Sequence, residues 1–247
     1  MTALHESTAR TDLPDGVCAV HARDLALHGR RGLVYGPLDL DVPGGRLTVL
    51  HGPQGGGRSS LLLTLAGRMV PDARSRLVVL GEQLPRARRA VQRCAAVAGF
   101  AGIDDLDEAV TVGATIHERL AWLSPWYRPA PRVDQGVVDG LLAPVYGERP
   151  VPRVDDRVHD LDEVDVMLVR IALAMAQRPA LVVVDDVDQV HDSQRRQFVW
   201  SRLEALATAG TTVIASVASL DEVHRFSWTD PPHEVFLTTG PHALRDL

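Results

Sequence analysis

The sequence predicts an α/β fold built around a largely parallel β-sheet. Three observations carry that expectation. An apolar run of strand length, Arg46–His51, passes directly into a glycine-rich loop and then into the helix-forming stretch Ser59–Arg68. A second apolar run, Leu181–Val184, ends on paired acids, Asp185 and Asp186. Along the rest of the chain strand-like and helix-like stretches alternate, the pattern of parallel strands joined by crossover helices.

Taken in order, residues 1–16 are polar and without period, and are expected to form a loose tail. Residues 17–247 are then expected to form one domain. Strand-like alternation around Val17–His28 and Leu38–Val42 predicts a small antiparallel β portion in the N-terminal third. The stretch from Val110 to Asp160 is rich in proline and carries short helical pieces, Val112–Leu123 and Val133–Leu142, so it is expected to be an inserted helical subdomain. Val166–Gln177 and Ser193–Ala209 read as helices, the second stopped by Gly210. Leu181–Val184 and Thr211–Ser216 read as buried strands.

Composition narrows the function. At 247 residues with 45% hydrophobic and 23% charged residues, the chain has globular proportions. A net charge of -6 and the lack of an Arg stripe interleaved with aromatics give no reason to expect nucleic-acid binding. Arg86, Arg88, Arg89 and Arg93 are expected to form a solvated helix face. The two cysteines, Cys18 and Cys94, have neither zinc nor disulfide-framework spacing. No uncharged apolar run approaches the ~20 residues that cross a bilayer, and the polar start does not resemble a signal peptide. The chain is not expected to enter a membrane by itself.

Gly52, Pro53, Gln54, Gly55, Gly56, Gly57, Arg58, Ser59 and Ser60 carry the glycine spacing of a phosphate-binding loop. Glycines let successive backbone N–H groups turn inward around a phosphate, and the helix that follows adds its positive N-terminal end. Ser59 stands where a hydroxyl ligand of Mg²⁺ belongs. Arg58 stands where such loops place a Lys, and all 26 basic residues of the chain are Arg. Arginine keeps the charge in a bulkier, planar form. The same residues also fit an ordinary glycine-rich turn from strand to helix.

Asp185 and Asp186 lie at the C-terminal edge of a buried strand, the edge at which parallel sheets bind ligands. Asp185 suits a contact to Mg²⁺ through water, and Asp186 suits the holding of an attacking water. Solvated acids at a strand end are the alternative reading of the pair.

With both segments in this order, the chain resembles the ABC transporter ATPase family from about Val20 to Gly240. Ile171–Pro179 looks like the family's helix and Pro turn before the acidic strand. Thr211–Ile214 looks like the strand leading to its switch histidine, followed by Leu220, Asp221 and Glu222. Asp192 falls at the acid of the family's D-loop, or simply caps the next helix. The resemblance implies a P-loop NTPase core and the cofactors ATP and Mg²⁺. It also implies an integral membrane subunit as partner, docked in a groove that would include Gly99–Leu123 and the Trp122–Tyr127 cluster. Homo- or heterodimerisation through the ATPase face follows from it as well, with a cytoplasmic location, peripheral on the inner face of the cell membrane.

Several positions depart from the family. Its Leu-Ser-Gly-Gly-Gln signature falls on Leu161-Asp162-Glu163-Val164-Asp165, of which Leu161 alone matches. Asp162 and Glu163 would bring negative charge towards a phosphate, at roughly 3 kcal/mol for each unit pair ~5 Å apart at an effective dielectric of 20. Asp162 also reads as a helix N-cap, with Asp165 complementing the helix dipole. The catalytic Glu becomes Asp186, one methylene shorter. The switch His becomes Ala218, and the Gln that links site to insert falls near Gly99. His28 stands near the adenine-stacking aromatic, or is a surface histidine.

In a family dimer each nucleotide lies between one subunit's loop and the other's signature. Pairing this chain with an intact partner would leave both composite sites incomplete, and a homodimer would be poorer still. The sequence therefore favours a pseudo-ATPase that binds nucleotide with little hydrolysis. The alternative is an active ABC transporter ATPase coupling hydrolysis to transport. A GTPase is disfavoured, because its guanine-reading segment needs a Lys that the chain lacks.

Overall fold

A five-stranded, all-parallel sheet forms the centre of the molecule, in the order β6-β7-β8-β3-β9. Its strands are β3 (Leu47–His51), β6 (Ala95–Ala98), β7 (Leu181–Val184), β8 (Thr212–Val217) and β9 (His233–Phe236). The computed structural model describes residues 18–127 and 129–237, so the tail expected over residues 1–16 lies outside the described residues.

The inner strands β3, β7 and β8 are buried on both faces, which is why they read as near-continuous apolar runs, whereas edge strand β9 is partly exposed. Their two-residue period sorts side chains between two cores. Val182, Val184, Val213 and Ala215 face one cluster, with helices α5 (Glu163–Met175) and α6 (Ser193–Thr208). Leu181, Val183 and Ile214 face the other, with α1 (Arg58–Leu65). Trp200 of α6 is buried and meets Trp228 edge-on at 5.8 Å.

A second, antiparallel sheet of four strands has the order β2-β1-β4-β5. These are β1 (Cys18–Gly29), β2 (Gly32–Pro43), β4 (Arg76–Val79) and β5 (Glu82–Leu84). The expected strand at Leu38–Val42 is the end of a longer one, and β4 and β5 add a second hairpin absent from the sequence reading. Short strands of three or four residues leave too few side chains to show a period.

Helix α2 (Arg88–Cys94) precedes β6. Arg86, Arg89 and Arg93 are exposed there, while Arg88 is half-buried and donates from Nε to the Gly67 carbonyl at 3.2 Å. Between β6 and α5 the chain leaves the sheet for two helices, α3 (Val112–Leu123) and α4 (Gln135–Tyr146), which pack on α5 through Ile116, Val138, Leu142 and Tyr146. Thr111 caps α3 and Asp134 caps α4 with side-chain oxygens, which fixes their starts. A short helix, α7 (Asp221–Arg225), follows β8. Among the described residues no helix is long and apolar enough to cross a membrane.

Candidate functional site

The chain leaves β3 at His51 and turns through Gly52–Gly57 into α1. The Gly56 N–H closes the turn onto the Pro53 carbonyl at 2.9 Å. Gly55 and Gly57 have positive φ, and a Cβ on Gly57 would stand 2.4 Å from the Val34 carbonyl oxygen, so only glycine fits there. Gly57 also begins α1 without a side-chain cap, leaving the first-turn N–H groups for a ligand. Ser59 is exposed on that first turn. Ser60 accepts a hydrogen bond from Thr64 through its carbonyl.

Arg58 points inward. The residue is 9% exposed, its stem passes beside Gly52, and its Nη1 is buried without a hydrogen-bond partner. Its Nη2 lies 3.6 Å from Oδ1 of Asp186. The loop and the acidic strand end therefore meet through this pair, 128 residues apart in sequence.

At the end of β7, Asp185 is buried and accepts a 2.6 Å hydrogen bond from Ser216 Oγ. The same hydroxyl accepts the Asp186 N–H at 2.8 Å. Ser216, on the neighbouring β8, thus pins both acids, a role that the sequence reading missed because Ser216 lies within a buried, largely apolar strand. Asp186 adopts a left-handed backbone, φ 50°. Burial pushes its carboxyl above the usual carboxylate range; the pull of Arg58 opposes this, and Asp188 and Asp185 reinforce it.

Asp188 instead accepts the Ala218 N–H at 2.6 Å, and the Ala218 carbonyl accepts a 3.0 Å bond from His51 Nε2. His51 also meets Phe236 edge-on at 5.8 Å. The segment holding Ala218 is therefore tied down through its backbone.

Gly99 directly follows β6. Its N–H donates to Asp104 Oδ2 at 2.8 Å and its carbonyl accepts from Gln189 Nε2 at 2.7 Å. Buried Arg170 joins the same network, holding the Asp104 carboxylate at 2.7 and 3.1 Å and the Gln189 carbonyl oxygen at 3.0 Å. An amide side chain thus does stand at this point, but it is Gln189, contributed from the segment after β7.

The segment Leu161–Asp165 opens α5. Asp162 caps the helix by accepting the Asp165 N–H at 2.9 Å, and its other oxygen takes a 2.8 Å bond from Arg149 Nη2. Burial raises the Asp162 carboxyl, but the Asp165 N–H and the Arg149 guanidinium outweigh it and hold the group below its ordinary range. Glu163 accepts the His191 N–H at 2.8 Å. Asp192 caps α6 by accepting the Arg195 N–H. His28 is exposed and paired with Asp72 at 2.6 Å.

The cradle fits a phosphate group: free helix N–H groups, positive-φ glycines and an unpaired guanidinium nitrogen converge on one loop. For Mg²⁺ the side chains offered are Ser59 and Asp185, and among the described residues no cluster of three or more His, Cys, Asp or Glu forms a metal cage. An ion there would draw its remaining ligands from phosphate oxygens and water, as Mg²⁺ commonly does.

No protein-family model matches the sequence. Known proteins do. A Nod factor export ATP-binding protein I of Mesorhizobium japonicum is 30% identical over 225 residues, covering 89% of this chain and 62% of that protein. The chain thus spans about three fifths of the Nod factor export proteins it matches. A Halobacterium salinarum protein described as an ABC transporter ATP-binding protein is 34% identical over 214 residues, covering 84% of each. Among solved structures, a nucleotide-free ATP-binding cassette from an ABC transporter superposes with a TM-score of 0.69 at 16% identity, over 90% of this chain and 88% of that one. The cbiO1 protein of Clostridium perfringens gives 0.67 at 16% identity, over 83% and 80%. The sheet order, the glycine loop and the relative from Halobacterium agree, and the chain belongs to the family of ABC transporter ATP-binding proteins.

Proposed function

We propose that the chain is the nucleotide-binding subunit of an ABC-type membrane complex and works as a pseudo-ATPase, holding nucleotide weakly or structurally with little turnover. The observation that carries the second half is the state of α5's N-terminus. Both oxygens of Asp162 are engaged within the chain, one by the Asp165 N–H and one by Arg149. A helix start with one of its N–H groups already taken by its own carboxylate offers fewer donors to another subunit's phosphate, and the negative charge held there repels one.

The residues that would hold nucleotide are Gly52–Ser60, with Ser59 and Asp185 toward Mg²⁺. The bound ion and nucleotide would supply the phosphoryl group and its charge neutralisation. Arg58 would offer its guanidinium to a phosphate oxygen and the loop N–H groups would orient it. Asp186 is the acid nearest the place of an attacking water, but it faces Arg58. Arg58 and the paired acids also support the second reading, an active transporter ATPase, since charge remains at both ends of the site.

The partner is an integral membrane protein, reached through a groove of about 300 Å³ lined in part by Val97, Ile103, Leu106, Arg119, Trp122 and Leu173. The segment 110–160 is the helical insert that forms one wall. Two measurements test the proposal on the purified chain. Thermal stabilisation by ATP reports binding, and phosphate release reports turnover. Stabilisation with background release is expected; brisk Mg²⁺-dependent release that Asp186→Ala abolishes would select the active enzyme.

A further inference from the structure

Arg58 and Asp186 face each other where the glycine loop meets the acidic strand end. Arg58 is the first residue of α1, its Nη1 is buried and unpaired, and its Nη2 is turned toward Asp186. At 3.6 Å the pair exceeds hydrogen-bond length, so the guanidinium is attracted but not satisfied. Neighbouring acids are differently placed. Asp185 is bound by Ser216, and Asp188 by the Ala218 N–H with Arg196 at 3.6 Å. Asp186 is the acid directed at the loop, and a left-handed backbone holds it there.

From this geometry we infer that Asp186 acts as an internal occupant of the anion position of Arg58, so that a phosphate group must displace it to bind. The inference rests on the reading of Gly52–Ser60 as a phosphate-binding loop, and it assigns Asp186 the opposite sign from a metal- or water-holding acid. Removing the carboxylate strengthens anion binding instead of weakening it.

The test is binding of inorganic pyrophosphate in metal-free buffer, by calorimetry, to the full chain and three variants. Asparagine tolerates the left-handed backbone, so Asp186→Asn keeps the fold of the turn. Asp186→Asn is expected to bind about fivefold to tenfold more tightly than the parent, the size of a partly screened charge contact. In an Arg58→Gln background the same change is expected to give no gain, because nothing remains for Asp186 to occupy; the third variant, Arg58→Gln alone, completes the cycle.

An equal gain in both backgrounds would mean simple repulsion and would overturn the latch. Unchanged or weaker binding by Asp186→Asn, with the parent still binding, would overturn it while leaving the phosphate loop intact. If neither the parent nor Asp186→Asn binds pyrophosphate, the loop reading fails and the latch with it.

Discussion

Arg149 grips Asp165 with two hydrogen bonds, Nε to Oδ1 at 2.8 Å and Nη2 to Oδ2 at 3.0 Å. Because Nη2 also reaches Asp162, one guanidinium ties the Gly147–Pro150 turn to the first turn of α5. The Tyr146 hydroxyl adds a bond to the Asp165 carbonyl at 3.2 Å. The place where the family resemblance puts a phosphate-contacting signature has become a structural joint.

Arg149→Met should therefore destabilise the fold by about 1–2 kcal/mol at neutral pH, the range for a half-buried bidentate pair whose partners stay partly wet. Asp162 titrates below its ordinary range, so its share of the stability is full above the unfolded pKa of about 3.9 and is lost as pH falls through the lower folded value. The gap between parent and variant in urea unfolding should narrow below about pH 4. A gap independent of pH would remove the ion pair from the explanation.

Gly99→Ala should cost more, about 2–4 kcal/mol. The new Cβ would stand 2.4 Å from the Asp185 carbonyl oxygen, and the backbone there has φ +83°. The strain falls on the strand end carrying both acids, so loss of nucleotide-induced stabilisation should accompany the lower melting temperature. A variant that melts like the parent would show that β6 and β7 separate easily.

Arg170→Met leaves the Asp104 carboxylate, which also accepts the Gly99 and Phe100 N–H groups, without its cation. Breaking one side of a buried pair costs roughly 3–5 kcal/mol. Denaturant midpoints measure this directly, and a shift under about 1 kcal/mol would mean that water replaces the guanidinium.

Much of the fold was legible from residue order alone. Leu181–Val184 and Val112–Leu123 form a strand and a helix with the bounds that the sequence suggests, because one is uniformly apolar and the other opens on a Thr cap. Helix α5 begins at Glu163, earlier than the apolar period at Val166, since its first turn is chosen by the Asp162 cap and not by burial. Strands β4 and β5 are short and carry polar residues, and β6 is mostly Ala, so none of them shows a strand pattern. In the site, the glycine loop and the two acids stand out as types, but their partners do not. Ser216, Arg149 and Gln189 act across 31, 16 and 90 residues, and separations of that size leave no trace in local pattern.

Arg58→Lys alone should not restore hydrolysis. It would return a compact charge to the loop. It would not lengthen Asp186, supply a side chain at Ala218 that can hydrogen-bond, or free Asp162 from its cap and Arg149. Phosphate release by this variant is expected to stay at background, and turnover of the order of 1 s⁻¹, the lower end of ordinary enzymes, would show that the loop Lys was the one missing part.

The exposed aromatics at the end of α3 bear on the membrane partner. The family resemblance places the Trp122–Tyr127 cluster in the expected docking groove. In the structure Trp126 is 95% exposed and Trp122 79%, with Leu123 and Tyr127 also exposed beside them. Trp126 and Tyr127 meet edge-on at 5.9 Å, and Trp122 lines the groove against the parallel-sheet core. Large apolar side chains grouped on a surface mark binding faces, and Trp and Tyr are the residues that most often dominate them. A Trp126→Ser change removes no buried contact, so stability should move by less than about 0.5 kcal/mol. Association with a membrane subunit should fall at least tenfold, the scale of a lost aromatic anchor. The measurement is co-fractionation with membranes from cells with and without candidate integral subunits, comparing the parent chain and the variant at equal melting temperature. Partner-dependent membrane recovery that the substitution abolishes is the expected result. A parent chain that stays wholly in the soluble fraction in every case would break the connection to a transporter, and equal recovery of parent and variant would move the docking face elsewhere on the groove.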